Sequence, residues 1–225
     1  MPSPGFRVIT SIVRPSRTLV ESFADIPVAN IGDNMGRLSC LSADIRPYGK
    51  KQILGTAITV RGPVGDNLMF HEALDIAEPG DVIVVDGQGD MNHALCGEIM
   101  MRYAITRGIA GFVLDGCVRD VEGLAALDFS VYARGVTPKG PYKSGPGEVN
   151  VPVVCGGQAV LPGDIVVGDA DGIVIIRPGD AEWVLAKARE HNAMEVKVFK
   201  DIAARTLNRA WVKKTIEEKG GEIIV

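Results

Sequence analysis

Hydrophobic positions along this chain recur with two periods, and each period marks a kind of element. Near-alternating or wholly apolar runs predict strands at Ile53–Arg61 (ILGTAITVR), Val82–Val85, Ala110–Asp115 (AGFVLD) and Phe129–Arg134 (FSVYAR). A run with almost no polar residue suits a strand buried on both faces, as Ala110–Asp115 would be, with Gly116 breaking it. Val151–Cys155, Gln158–Leu161, Ile165–Val167 and Gly172–Ile176 are shorter and are separated by Gly-Gly, Pro-Gly-Asp and Asp-Ala-Asp-Gly turns. That density predicts a mixed sheet with a β-rich layer.

Helical spacing fills the intervals. Ser16 would cap a helix over Thr18–Ile26, with Leu19, Phe23 and Ile26 on one face, and Pro27 interrupts it. A second short helix spans Val28–Met35. Asp66 would cap Asn67–Ala77, where Met69, Ala73 and Ile76 make the apolar face. Leu95, Ile99 and Tyr103, with Cys96 and Met100 on the adjacent row, predict a helix that stops at Gly108. Val121–Ala126 is a short helix. Asp180 would cap Ala181–Ala203, with Trp183, Leu185, Ala186, Ala188, Val196, Val198 and Phe199 as apolar rows; a tail helix near Leu207–Lys219 and an apolar EIIV end follow. Residues 1–15, with Pro2, Pro4 and Pro15, read as an extended lead-in, and 135–150 as a loop.

The 225 residues suffice for one domain, with a core over 16–180 and a C-terminal helical arm over 181–225. A net charge of −4 disfavours nucleic acid as a direct partner. Cys40, Cys96, Cys117 and Cys155 form no CxxC pair, which argues against a zinc site or a secreted disulfide framework. The start, MPSPGFRVIT, lacks the long apolar core of a signal peptide, and no run is long enough to span a membrane; the expected compartment is the cytoplasm.

The chemistry concentrates in Gly97–Asp120. A helix followed by an adjacent strand folds back, so Glu98 at the helix start and Arg119-Asp120 after the strand meet at one sheet edge. Arg119 offers a planar fork for a carboxylate or α-keto acid. Asp120 is a hard oxygen ligand for a magnesium ion that keeps most of its waters. Glu98 could orient a water or move a proton. The alternative is a solvated Arg-Asp pair in a surface loop. Asp33 reads as a solvated turn acid, His71 as a surface or packing residue, and His93, just before the helix, as a rim or N-terminal turn residue. The loop Asp86-Gly-Gln-Gly-Asp90 has neither a third glycine at dinucleotide spacing nor a GK[ST], and it suits a flexible rim near a helix start. Asp169 and Asp171 fall in a tight turn rather than a calcium loop. Lys139 and Lys143 sit in a mobile loop and take no covalent role.

These motifs together resemble the aldolases that cleave 4-hydroxy-4-methyl-2-oxoglutarate and 4-carboxy-4-hydroxy-2-oxoadipate, relatives of the regulator of ribonuclease activity A. The resemblance runs from about residue 16 to the end. It is carried by GDNLMFHEALDIAEPGDVIVVD, by an acid, twenty residues and Arg-Asp from Glu98 to Asp120, by VNVPVVCGGQAVLPGDIVVGDADGIV, and by the C-terminal helix with Glu195. It implies an α/β fold, a layered β/β/α sandwich of the swivelling type, assembled as trimers or hexamers. It implies that Asp120 holds Mg2+ or Mn2+ largely through waters. Arg119 would hold the pyruvate part of a 2-keto acid, with N–H groups of Gly97, Glu98, Ile99 and Met100 clasping its carboxylate. Glu195 would reach over from an adjacent subunit, and Asp33 matches an acid of the entrance. The leading acid of the pattern is often Asp where this chain has Glu98. The implied activity is a carbon–carbon lyase with oxaloacetate decarboxylation. The rival is a non-enzymatic inhibitor of an RNA-degrading endonuclease. A methyltransferase would need a glycine-rich cofactor loop that the sequence does not offer.

Overall fold

The computed structural model describes residues 3–50 and 52–224; Pro2 of the lead-in and the last residue of the EIIV end lie outside them. The chain divides into two compact units, Met1–Ala188 and Arg189–Val225. The elements in order are β1 (Phe6–Val8), α1 (Arg17–Glu21), α2 (Val28–Asn34), β2 (Arg46–Pro47), β3 (Ile53–Arg61), α3 (Leu68–Ile76), β4 (Asp81–Cys96), α4 (Glu98–Thr106), β5 (Gly111–Val118), α5 (Val121–Ala125), β6 (Ser130–Val136), β7 (Gly147–Val149), β8 (Val153–Cys155), β9 (Gln158–Val160), β10 (Ile165–Asp169), β11 (Gly172–Ile176), α6 (Ala181–Ala203) and α7 (Ala210–Glu218). The division falls inside α6.

Among the described residues, nine strands make one mixed sheet in the order β1-β7-β3-β4-β5-β6-β2, with β10 on β3 and β11 on β10. Its centre, β3-β4-β5-β6, is parallel. Both faces of this centre are covered, which is why Val82–Val85 and Gly111–Val118 are buried throughout and read as apolar but for Asp115. One face packs Ile58, Ile83, Phe112 and Leu114 under α3 and α4, through Phe70, Leu74, Met101 and Ala104. The other packs Val82, Val84, Val113 and Tyr132 under Leu41, Ile45 and the β8–β9 hairpin. A third cluster seats α1, α2 and the start of α6 on β10 and β11, through Phe23, Ile31, Ile165, Val174 and Val184. The expected layered α/β sandwich is the fold observed.

Several local expectations change. The predicted glycine loop at 86–90 is strand: β4 runs on to Cys96, with register shifts against β5 between Val85 and Asp90, Asp90 and Ala94, and Ala94 and Cys96. Gln88 and Gly89 take positive φ, so the turn-prone residues make bulges instead of ending the strand. Leu95 and Cys96 consequently belong to β4. α4 starts at Glu98 and buries Met100, Met101 and Ala104, leaving Ile99 82% and Tyr103 43% exposed. Gly116 stays inside β5, where a methyl group would press on Leu95 at 3.0 Å. The loop at 135–150 contains β7, and the lead-in contains β1, paired to it in parallel. Pro178–Asp180 form a 3-10 turn that runs straight into α6. Ser16 caps α1 as expected, its hydroxyl accepting from Leu19 N–H at 3.3 Å. Gly108, at φ +70, stops α4.

Candidate active site

β4 and β5 lie side by side in parallel, with Cys96 opposite Val118. Their C-terminal ends therefore deliver two chain segments to one place, the position where open α/β sheets present ligand sites. From β4 the chain turns at Gly97 into α4. From β5 it passes through Arg119 and Asp120 into α5. The ladder runs one step further, because Arg119 N–H donates to Cys96 C=O at 3.1 Å. Asp120 sits in the left-handed region at φ 61, which Asp tolerates better than most residues. That backbone turn brings Asp120 Oδ2 to the Glu98 N–H at 3.0 Å, so the carboxylate caps α4 from outside the helix.

Arg119 Nε lies 3.7 Å from the same oxygen, and the two side chains are 41% and 43% exposed. Gly97 makes this approach possible. A methyl group there would overlap Asp120 Oδ2 and stand 3.1 Å from Arg119 Cγ and Nε. Gly140, across the cleft, would carry a methyl 2.9 Å from Arg119 Nη1. The guanidinium thus runs between two glycines.

A cleft of about 90 Å³ opens here, lined by Gly97, Ile99 and Met100 of the α4 start, by Arg119 and Asp120, and by Asn67, His71, Pro141 and Lys143. Three of these residues, Asn67, His71 and Lys143, went unrecognised in the sequence as site residues. The spacing of Asn67 and His71, four apart at a helix start, was the available signal; their sharing a cleft with Arg119 is a tertiary fact. Burial, followed by the charge of Lys143, pushes the His71 imidazole below its ordinary pKa, with Asp75 opposing. Cys96 also lines the cleft, but burial and the Asp120 charge hold its thiol far above the usual range, so it is no nucleophile. The segment bearing Lys143 is tied down. Ser144 N–H and Gly145 N–H donate to Asp66 Oδ2 at 2.6 and 3.0 Å, while Asp66 Oδ1 accepts from Leu68 N–H at the start of α3.

The remaining candidates are placed differently. The Glu98 carboxylate turns along its own helix, accepting from Arg102 Nε at 2.7 Å and packing on Gly123. Of the four backbone N–H groups expected to clasp a carboxylate, that of Glu98 is given to Asp120 and that of Met100 to Gly97 C=O at 3.1 Å. Asp33 lies on α2, paired with Arg37 at 2.8 Å, and is not among the residues that line the cleft. Glu195 belongs to the unit 189–225, where its carboxylate lies 3.6 Å from His191 Nε2. His93 Nδ1 is 2.8 Å from Asp90 Oδ2 on the bulged part of β4.

Among the described residues, no group of three His, Cys, Asp or Glu side chains is arranged to hold a metal. One part-exposed hard carboxylate, Asp120, does not make a zinc centre, which needs three or four protein ligands. It does fit a magnesium- or manganese-type ion that keeps most of its waters. No helix of the described chain is long and apolar enough to cross a membrane.

Comparison with known proteins bears on this geometry. Residues 28–175 match the RraA-like family, described as Aldolase/RraA. A protein of Halalkalibacterium halodurans, named provisionally as a 4-hydroxy-4-methyl-2-oxoglutarate aldolase, is 40% identical over 199 residues, covering 88% of this chain and 95% of its own. The RNA-processing inhibitor RraA of Thermus thermophilis is 32% identical, with TM-score 0.63 over 68% of this chain and 93% of its own. A Streptomyces coelicolor protein, described as an unusual member of the RNase ES inhibitor RraA family, is 28% identical, with TM-score 0.75 over 83% of this chain and 99% of its own.

Proposed function

Because the chain belongs to the RraA-like family of aldolases and RraA proteins, we propose that it is a divalent-metal-dependent pyruvate aldolase. It would cleave 4-hydroxy-4-methyl-2-oxoglutarate or 4-carboxy-4-hydroxy-2-oxoadipate and decarboxylate oxaloacetate. The observation that carries the reading is the Arg119–Asp120 pair set against the α4 start in one cleft.

Retro-aldol cleavage and oxaloacetate decarboxylation share one demand. Both leave the enolate of pyruvate, whose developing negative charge needs a fixed cation. Arg119, which passes close to Gly97 and Gly140, supplies one. The positive end of α4 and the Lys143 ammonium favour the substrate carboxylate. Asp120 would hold Mg2+ or Mn2+, which acts as a Lewis acid on the keto group when bound. A proton must leave the substrate hydroxyl in cleavage and return to the enolate. Glu98 can serve there once its carboxylate leaves Arg102, and Glu195 from an adjacent subunit of a homotrimer or homohexamer is the second candidate. Asp33 would serve as an acid of the entrance.

The second reading, inhibition of an RNA-degrading endonuclease, is favoured by the likeness to the Thermus inhibitor. One assay separates them: pyruvate release from 4-hydroxy-4-methyl-2-oxoglutarate and from oxaloacetate, with magnesium and with EDTA. Metal-dependent turnover that falls by at least about a hundredfold in Asp120→Ala is the expected result. No turnover on either substrate by folded, metal-supplied protein would overturn the aldolase and leave the inhibitor.

A further inference from the structure

Asn67, the N-cap of α3, and His71 on its first turn are joined by the His71 N–H to Asn67 C=O bond, and both line the cleft. Asn67 is only 3% exposed, and its amide orientation is fixed because Nδ2 donates to Leu95 C=O at 2.9 Å. Its Oδ1 is therefore an acceptor. Asn67 Oδ1 and His71 Nε2 are both buried atoms with no hydrogen-bond partner among the described residues. Buried polar atoms are nearly always paired, and leaving one unpaired is costly. Two such atoms on adjacent turns of a cleft wall mark the place of a polar group that comes from a ligand.

We propose that His71 contacts the substrate, meeting through Nε2 the hydroxyl that the cleaved 2-keto acid carries, and so selects hydroxylated acids over oxaloacetate. This rests on the aldolase reading. The charged groups of the cleft, Arg119, Lys143 and the α4 start, take the carboxylate and keto end of the substrate. The wall formed by Asn67 and His71 is uncharged and takes what remains. A neutral imidazole presents either N–H or a lone pair at Nε2, depending on tautomer, while Asn67 Oδ1 only accepts. A hydroxyl satisfies both cases: it donates to one neighbour while accepting from, or being oriented by, the other. A second carboxylate has no proton to give Asn67 Oδ1. Oxaloacetate, which has no hydroxyl next to the scissile bond, would leave this wall unpaired.

The test pairs kinetics with spectroscopy. In His71→Phe, chosen to keep the ring volume, kcat/KM for 4-hydroxy-4-methyl-2-oxoglutarate should fall about 10- to 100-fold. That for oxaloacetate should change less than about threefold, since it makes no hydroxyl contact to lose. His71→Gln, which keeps a polar tip, should recover part of the loss. The chain has three histidines, so imidazole nitrogen resonances are readily assigned. With EDTA present to stop turnover, 4-hydroxy-4-methyl-2-oxoglutarate should move the His71 signals and leave those of His93 and His191 in place; oxaloacetate should move them much less. Equal loss on both substrates, or His71 signals that neither acid moves, overturns the proposal. Absence of all turnover in the wild-type protein refutes the aldolase reading instead, and the imidazole signals then decide alone whether His71 meets a hydroxyl.

Discussion

The two halves of β4 are one strand built to different rules. From Asp81 to Val85 each residue pairs in register with β3, both faces are buried, and the side chains are almost all β-branched. From Asp86 to Cys96 the strand shifts register three times, carries exposed Met91 and Asn92, and still ends opposite Val118. The regular half holds the sandwich together. The irregular half spends ladder hydrogen bonds on bulges, and the bulges set where β4 stops relative to β5, hence where Gly97 and α4 meet Arg119 and Asp120. Regular pairing fixes the fold in this chain; departures from it place the chemistry.

The strongest way to break that contrast is to cut the regular half. Ile83 is fully buried between β3 and β5, in the cluster with Phe70 and Phe112. Ile83→Ala should destabilise the protein by about 3 kcal/mol, the usual cost of a buried large-to-small change, read as a lower urea midpoint. At temperatures where the variant is folded, kcat/KM should stay within about threefold of wild type, since nothing in the cleft has moved. A loss of activity without loss of stability would contradict the division of labour.

The mirror experiment is Gly97→Ala. A methyl at this position enters the space of Asp120 Oδ2 and Arg119, so one of the two must move. The expected result is a fall of about 30-fold or more in kcat/KM, since small misplacements of positioning groups are severe. The stability loss should be below about 1.5 kcal/mol, because the crowded groups are part-exposed side chains. Equal damage to stability and turnover would show the site to be part of the regular core after all.

The same contrast explains what could be read in advance. Strands β3 and β11 were readable to the residue, β3 from its alternation and β11 from the turn that precedes it. The Arg119–Asp120 pair and its nearness to α4 followed from one helix–strand return. The α4 face did not. Leu95 and Cys96 end a strand of period two, and Ile99 begins a helix of period 3.6, so counting helical spacing through the junction put Ile99 and Tyr103 on the buried row. The glycines and aspartates of 86–90 carry the local signature of a turn, and only pairing with β5 turns them into bulges. Asn67 and His71 offered only their four-residue spacing, since their role depends on Arg119 lining the same cleft.

The smallest expected effect sits where the two halves join. The last regular rung of β4 pairs Asp86 with Arg61 of β3, and Arg61 also bonds Glu148 of β7 through Nε at 2.6 Å. Arg7 of β1 approaches the same carboxylate at 2.7 Å. Burial works to raise the Glu148 carboxyl. The Arg61 hydrogen bond, the Gly5 N–H and the charges of Arg61 and Arg7 outweigh it, so the group lies below its ordinary value in the folded chain. The unfolded chain then binds the proton first as pH falls. The stabilisation is complete above the unfolded value of about 4.3 and is lost as pH drops through the folded one. Arg61 is half exposed, which screens the pair and holds the effect to about 0.5–1 kcal/mol. Glu148→Gln should therefore cost about that much at pH 7 in urea unfolding and converge on wild type once pH falls below the folded value. It should leave kcat/KM within about threefold of wild type, because Glu148 is not among the residues that line the cleft. A matching loss of turnover would mean that the stitch between strands, and not the bulges alone, sets the register at which α4 meets Asp120.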